Sequence, residues 1–339
     1  MGNQISRIPG TSIFLSITPV LSTIMSWSAR DEAGAKEFFD SAEAMRRKVG
    51  KIAEQFKKSR HAIIFTGAGL STSAGIPDFR SGMKTVLKTG PGLWAAQADY
   101  ERKNPVRNEF TKNDPKRPRV DLDNFLHVQP TYAHRAIAKL VEEGFVKAVM
   151  TQNVDNLHRR SGIPRENMIE LHGNLQCERC DTCGRDYERD FRIGPNPGQQ
   201  HYTGRRCEAR GCGGRLKDYL VPFGEDLPKR ETDRAYQESE TADFCLVLGS
   251  SLTVTPACDY AGWVATSTKQ RFYGRLPRDA QRGSLAIMNI QKTPYDEDAI
   301  AAVHAFCDDA MRELMNQLGL SVDDPMDSVE VDAEEDAQL

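Results

Sequence analysis

The sequence predicts an α/β protein: a mostly parallel sheet covered by helices on both faces, with a small cysteine-rich module set into it. Three observations predict this. Short apolar runs of strand character alternate with segments of helical periodicity. Glycine and polar residues follow those strands at their carboxyl ends, where ligands collect in such sheets. Five of the eight cysteines lie between Cys177 and Cys212, which reads as metal binding rather than as a disulfide framework. At 339 residues, 39% hydrophobic and 27% charged, the chain is expected to be soluble and long enough for one large domain with an inserted module. A net charge of −3 excludes the footprint of a dedicated nucleic-acid binder, and no direct sequence-specific nucleic-acid binding is expected.

Residues 1–40 are expected to be a disordered leader. The first thirty carry no acid, two arginines (Arg7, Arg30) and many hydroxyls, and Pro19 and polar residues break the apolar run Ile13–Trp27, a poor membrane span. Three readings compete. Met-Gly-Asn-Gln-Ile-Ser fits N-myristoylation at Gly2, with Ser6 at the hydroxyl position. The lack of acids also suits an organellar transit peptide. A plain leader leaves Met25 as an alternative start. Only myristoylation would give membrane association, and one such chain binds weakly.

Residues 41–58 show helical periodicity through Ala44, Met45, Val49, Ile52, Ala53 and Phe56, and lead into a strand ending at Thr66. Residues 81–126, rich in Gly, Pro, Lys and Asn, read as a flexible insertion. Thr131 is placed to cap a helix with apolar positions Ala133, Ile137, Leu140 and Val141, and Gly144 to stop it. A buried strand Phe145–Met150, a short helix around Asn156–Arg160 and a short strand over Met168–Leu171 follow. After the cysteine segment, 177–216, the alternation resumes with Tyr219–Val221, a polar helix over 228–240 and the strand Phe244–Leu248. A helix near 257–266, the strand Ser284–Ile290 and an amphipathic helix over 308–318 complete it. The sheet domain thus spans 41–176 and 217–320, and 321–339, with eight acids and no Lys or Arg, is a solvated tail.

Thr66-Gly67, Thr151-Gln152-Asn153, His172, Gly249-Ser250-Ser251 and Asn289-Ile290-Gln291 all fall at strand ends, which a parallel sheet gathers into one crevice. Gly67-Ala68-Gly69 opens like a dinucleotide turn, letting backbone N–H groups approach a pyrophosphate; any tight strand-to-helix turn could use glycine likewise. A hydride-transferring dehydrogenase would place a third glycine where this chain has Thr72. Instead Asp78-Phe79-Arg80 follow: an acid, an apolar wall for a ribose or pyridine ring, and a planar fork for phosphate. The domain is Rossmann-like without the dehydrogenase fingerprint.

Gln152, Asn153 and Asp155 present amides and a carboxylate at a strand end, although Asn and Asp could also cap the next helix. His172 stands between a strand and Gly173, an imidazole titrating near neutrality and a natural general base for a hydroxyl. Lone histidines are otherwise structural. Cys180-x2-Cys183 and Cys207-x4-Cys212, 23 residues apart, have the spacing of a four-thiolate zinc site. Such a closed site has no position for water, so its role would be structural. Cys177-x2-Cys180 is an alternative pair, and spacing alone leaves the ligand set open. Cys245, Cys258 and Cys307 read as ordinary buried thiols.

Taken together, these stretches resemble the sirtuins, NAD-dependent protein-lysine deacylases, over roughly residues 45–320. TGAGLSTSAGIPDFR, PTYAH, TQNVDNLHRRSG, ELHGN, the four cysteines, FGE, LGSSL and NIQ occur in the family's order. RSGIPRENMIELHGN, NIQKTP and HAFCDDAMRELMNQLGL look most like the branch containing the nuclear, chromatin-associated animal sirtuins. The resemblance implies that NAD is cleaved rather than reduced. It implies that Ala68, Thr72, Phe79 and Arg80 line the NAD pocket together with Gly67, Gly69 and Asp78. Gln152 and Asn153 would contact ribose or its water, and Asp155 the nicotinamide amide. Gly249, Ser250, Ser251, Asn289, Ile290 and Gln291 would hold the adenosine half, with Cys307 near the adenine.

The implied reaction begins when the acyl-lysine carbonyl oxygen attacks the anomeric carbon, expelling nicotinamide and leaving an alkylimidate. His172 then acts as general base on a ribose hydroxyl, and water completes the transfer to give free lysine and O-acetyl-ADP-ribose. The peptide would add as a strand between Val221-Pro222-Phe223-Gly224 and Ser251-Leu252-Thr253-Val254. The implied partners are acylated-lysine proteins, with histones among the candidates. The implied location is the nucleus, with cytoplasm or mitochondrion open through the leader.

Three departures stand out. Asn156 replaces a common glycine, and asparagine tolerates a left-handed backbone. Ser250 replaces a frequent threonine. The stretch from Ser81 to Trp94 is longer than the family's, so Trp94 is left outside the expected set. A mono-ADP-ribosyltransferase on the same scaffold and a catalytically weak chromatin-binding protein are the rival readings; retention of His172, Asn153 and Asp155 speaks against the second.

Overall fold

A computed structural model describes residues 35–104, 114–194, 200–222, 224–265 and 283–323. Gly2, Ser6, Met25, Phe223 and most of the acidic tail lie outside the described residues. No helix among the described residues is long and apolar enough to cross a membrane.

The Ser41 hydroxyl accepts the Ala44 N–H at 3.2 Å and starts α1 (Ala42–Lys58), which ends with Lys57 and Lys58 at its negative dipole end. Val49, Ile52, Ala53 and Phe56, at helical spacing, are its buried stripe. β1 (Ala62–Thr66) follows, buried throughout. Within the expected insertion lies α2 (Leu93–Lys103). α3 (Tyr132–Glu142) is capped by Thr131 in a reciprocal box whose returning partner is the His134 ring, and Gly144 ends the turn at φ 75°. Then come β2 (Val146–Thr151), α4 (Leu157–Arg160) and β3 (Met168–Glu170).

Four short strands belong to the cysteine segment and its flank: β4 (Cys177–Cys180), β5 (Asp186–Glu188), β6 (Tyr202–Arg206) and β7 (Arg215–Asp218). The chain closes with α5 (Lys229–Thr241), β8 (Phe244–Leu248), α6 (Asp259–Gly262), β9 (Ser284–Met288), β10 (Ala301–Val303) and α7 (Cys307–Leu318).

The large sheet has the order β10-β9-β8-β1-β2-β3, with every pair parallel. Successive residues point to opposite faces. Ile64, Val149, Leu246 and Ala286 meet α1, α3 and α7, and Phe56 packs edge-to-face on Phe244 at 4.9 Å. Ile63, Phe65, Ala148, Met150, Val247 and Ile287 meet α5 and the segment around α6. The strand order reverses between β1 and β8, which opens a crevice at their carboxyl ends. The small sheet, β5-β4-β7-β6, is antiparallel.

The structure differs from the sequence reading at five places. Tyr219–Val221 forms no strand: its apolar residues are buried, but the Val221 N–H goes to the His172 carbonyl at 3.1 Å. The helix near 257–266 contracts to the four residues of α6. β10 was missed because three residues are too few for a period to show. Residues 35–40, assigned to the leader, dock on the sheet: Phe38 N–H donates to the Ile290 carbonyl and Asp40 N–H to the His304 carbonyl, both at 2.8 Å. At the other end Val322, assigned to the solvated tail, packs on the core.

Candidate active site

The described residues expected at the nucleotide line one cavity of about 650 Å3 at the switch point, and so do those expected at the peptide, except Leu252 and Thr253. Its floor is the meeting of two turns. A Cβ on Gly67 would stand 2.8 Å from the Gly249 carbonyl oxygen. One on Gly249, at φ 60°, would stand 2.2 Å from the Leu70 nitrogen. Glycine is required because two backbones touch. After Gly67 the chain forms a 3-10 helix, Ala68–Ala74, rather than the α-helix of a dehydrogenase turn.

Hydrogen bonds from three elements set the strand-end polar residues. Thr66 Oγ1 donates to Thr151 Oγ1 at 2.8 Å and stands 2.8 Å from His158 Nε2. Thr151 Oγ1 in turn accepts the Asn153 N–H at 3.0 Å. The Asn153 amide donates to the Gly67 carbonyl at 3.0 Å and to Ser71 Oγ at 3.2 Å, and Ser71 donates to Asp155 at 2.7 Å. Burial raises the Asp155 pKa against those hydrogen bonds. Asn156 adopts φ 65°, the left-handed turn anticipated from its replacing glycine. Its side chain also bonds Glu188 at 2.6 Å and Asn174 at 2.7 Å, contacts glycine could not make.

His172 Nδ1 lies 3.0 Å from the Gln152 carbonyl oxygen. A carbonyl can only accept, so Nδ1 carries the proton and Nε2 is left as a lone-pair acceptor. Burial lowers the His172 pKa, opposed by that hydrogen bond, so the ring is neutral at pH 7. The Gln152 side chain accepts from Ser250 Oγ at 3.1 Å, but its buried Nε2 has no partner among the described residues.

On the opposite wall Phe79, 40% exposed, meets Trp94 at 5.6 Å, and the Arg80 guanidinium lies 4.7 Å over the same indole. The Asp78 carboxylate is used within its own turn, accepting from the Arg80 and Ser81 N–H groups and the Ser81 hydroxyl, so it shapes the loop. Trp94 belongs to the site although the sequence reading left it out, because the long loop before it obscured its register. At the far end Asn289 donates to the Gln291 carbonyl at 2.8 Å, beside Ile290 and the Cys307 thiol. Burial pushes that thiol up to about 12, so it is inert. Ser251 pairs with Thr253 at 2.8 Å opposite Val221 and Gly224.

The sulfurs of Cys180, Cys183, Cys207 and Cys212 all lie within 4.8 Å of one another, with Cys180–Cys212 and Cys183–Cys207 at 3.6 Å. Tetrahedral thiolates at the usual zinc–sulfur length stand about 3.8 Å apart, so the donor set fits zinc. Cys177 is not in the group; it is buried in β4 facing Arg159 and Glu170, which closes the alternative pairing.

Between the two sheets lies a buried ionic network that the sequence did not reveal. Glu170, two residues before His172, holds Arg159 at 2.5 Å and accepts from Tyr219 and Asn174 at 2.6 Å. Burial alone would raise its carboxyl, but Arg159 wins and holds it below the usual range. Asp186 on β5 joins Arg165 and Arg179, each at 2.6 Å, and both arginines reach Glu231 on α5.

The family model described as the Sir2 family matches residues 67–256. The chain is 35% identical over 294 residues to the NAD-dependent protein deacetylase SRT1 of Arabidopsis thaliana, covering 86% of this chain and 53% of that protein. It is 34% identical over 314 residues to the NAD-dependent protein deacetylase sirtuin-7 of Homo sapiens, covering 89% and 68%. It thus spans about half the length of the plant relatives it matches. A solved Sir2 structure with a p53 peptide and NAD+ superposes with a TM-score of 0.53 at 29% identity, covering 80% of this chain and 98% of that one. With the motifs on one crevice and more than half of the sequence inside the family model, the chain belongs to the Sir2 family.

Proposed function

We propose that the protein is an NAD-dependent protein-lysine deacylase that produces nicotinamide, free lysine and O-acyl-ADP-ribose. The observation that carries this reading is the tautomer of His172: its proton is held on Nδ1 by the Gln152 carbonyl, which leaves Nε2 as a neutral base in the crevice. The touching turns at Gly67 and Gly249 fit a dinucleotide. Supporting it, the relatives carry the name NAD-dependent protein deacetylase, and a related Sir2 structure holds 2'-O-acetyl-ADP-ribose with a deacetylated peptide.

Bound NAD supplies the ADP-ribosyl group that accepts the acyl group as nicotinamide leaves. Ala68, Thr72, Phe79, Arg80 and Trp94 enclose the nucleotide, and Asn289, Ile290 and Gln291 its adenosine end. Asp155, buried and braced by Ser71, receives the leaving amide. Asn153 and Gln152 orient the ribose hydroxyls, and His172 Nε2 takes a proton from one of them. The acylated peptide lies between Val221–Gly224 and Ser251–Val254, Phe223 lying outside the described residues. A zinc ion held by the four cysteines would brace the small sheet. Acylated-lysine proteins, histones among them, are the proposed partners, and the sequence's likeness to nuclear animal sirtuins makes the nucleus the proposed location.

Mass spectrometry of the protein with acetyl- and long-chain-acyl-lysine peptides, with and without NAD, tests the reading. NAD-dependent loss of the acyl group with matching O-acyl-ADP-ribose, abolished in His172→Ala, is expected. Nicotinamide release without deacylation, with ADP-ribose captured on protein, would replace it by the transferase reading.

A further inference from the structure

The wall formed by Phe79, Arg80 and Trp94 is part of a closed loop. Leu93 N–H bonds the Asp78 carbonyl at 2.9 Å, Trp94 N–H the Phe79 carbonyl at 3.1 Å and Gly92 N–H the Ser81 carbonyl at 2.8 Å. These bonds fix the base of the loop. Its tip is held from outside the sheet domain, by the N-terminal segment that docks along the Ile290–Gln291 edge. There Glu37 pairs with Gln291 in an antiparallel bridge. Its carboxylate takes the Thr85 hydroxyl on one oxygen at 2.5 Å and the Val86 N–H on the other at 2.9 Å. Thr85 Oγ1 accepts the Leu87 N–H at 3.1 Å, and the Leu87 side chain is buried against the crevice. Ala35 lies beside the same loop, where a Cβ added at Gly82 would stand 3.2 Å from its own Cβ.

We propose that Glu37 is a positioning residue for the nucleotide: it clamps the tip of the Ser81–Gly92 loop to the Gln291 edge, so that the aromatic wall stands over the crevice before the dinucleotide arrives. The proposal rests on the reading that this crevice holds NAD. Its physical basis is entropic. A loop of this length fixed only at its base samples many arrangements, and a ligand that needs one of them binds more weakly by the populated fraction. A carboxylate that accepts two hydrogen bonds from adjacent residues, and is itself tied to a sheet edge through its backbone, removes that loss in advance. Because Gln291 borders the adenosine end and Phe79 the opposite wall, the clamp sets the span between the two halves of the cavity.

The test is calorimetric titration of NAD into the full chain and into Glu37→Ala, Glu37→Gln and Thr85→Val, beside steady-state kinetics and thermal melting. If removal of the clamp leaves the loop closed about a tenth of the time, Glu37→Ala weakens NAD binding on the order of tenfold. The KM for NAD then rises in proportion, kcat at saturating NAD holds, and melting is little changed. Glu37→Gln, which keeps one acceptor and turns the other into a donor, falls between. Thr85→Val weakens binding, and the double variant weakens it no further than Glu37→Ala, since both changes remove one device. Trypsin also cuts faster at the exposed Lys84 and Lys88 in Glu37→Ala without NAD. NAD binding within twofold of the parent in Glu37→Ala, or an equal loss of kcat and kcat/KM, overturns the clamp while leaving the NAD reading intact. Absence of NAD binding to the parent protein overturns both.

Discussion

The strand-end crevice and the four-cysteine module lie side by side and are held together by opposite means. The crevice sits on strands buried over their whole length, such as β1 and β8, whose side chains fill two apolar layers. In the module β5 and β6 are half-buried or exposed, and ion pairs and four thiolates stand where a core would be. Apolar burial supplies a rigid platform that tolerates polar side chains at its rim. A sheet this small has too little area to bury; charge pairs brace it, and a metal on the four cysteines would add to that. The lesson is that function is mounted on the first kind of region and braced by the second. The two meet at Glu170, whose strand ends beside His172 and whose partner Arg159 reaches Asp186.

Each part of that contrast can be tested. The largest effect is expected from His172→Ala. It should cost on the order of 10²- to 10⁴-fold in deacylation with an unchanged melting curve, because it removes a base and leaves the platform intact. Cys180→Ser should reduce bound zinc measured by atomic emission and produce an early melting step, while the parallel sheet unfolds later; a single unshifted transition would show that the module does not depend on metal. Arg159→Met strands the Glu170 carboxylate and should cost about 3–5 kcal/mol in denaturant unfolding.

A pH titration separates the regions further. Burial drives the His158 pKa down to about 4, opposed by Glu170, and His134 falls in the same direction. The unfolded chain therefore binds more protons, so the stability these rings contribute is full above pH 6.5 and lost as pH falls toward about 4. Deacylation should also retain its base form at pH 7 and lose it only below the ordinary histidine range, since the His172 pKa is lowered. The smallest effect is expected from Asn156→Gly. It relieves a left-handed backbone but forfeits bonds to Glu188 and Asn174, for a net loss of about 1 kcal/mol in chemical denaturation.

Much of the site is legible in the sequence. Local rules sufficed where the signal was local: Thr131 as a cap, the apolar strand Phe244–Leu248, Asn156 in a left-handed turn, and polar groups at strand ends. Where a residue's partner is distant in the chain, the sequence was silent. Spacing could not choose between Cys177 and Cys183, because both stand three residues from Cys180. Tyr219–Val221 looked like a strand because it is apolar, but its hydrogen-bonding partner is the carbonyl of His172, about fifty residues earlier. Trp94 was hidden by the loop before it, and Glu37 by a leader that had no periodic pattern.

Periodicity and caps were therefore enough to specify an α/β sheet and the crevice at its strand ends, since each depends on contacts within a few positions, and the order of the motifs added most of the residues that line it. Only the tertiary structure settled the rest. It placed the His172 proton on Nδ1, assigned four of the five clustered cysteines to one group and joined the two sheets through buried charge. Those outcomes depend on which distant groups share a low-dielectric space, and linear order does not encode that.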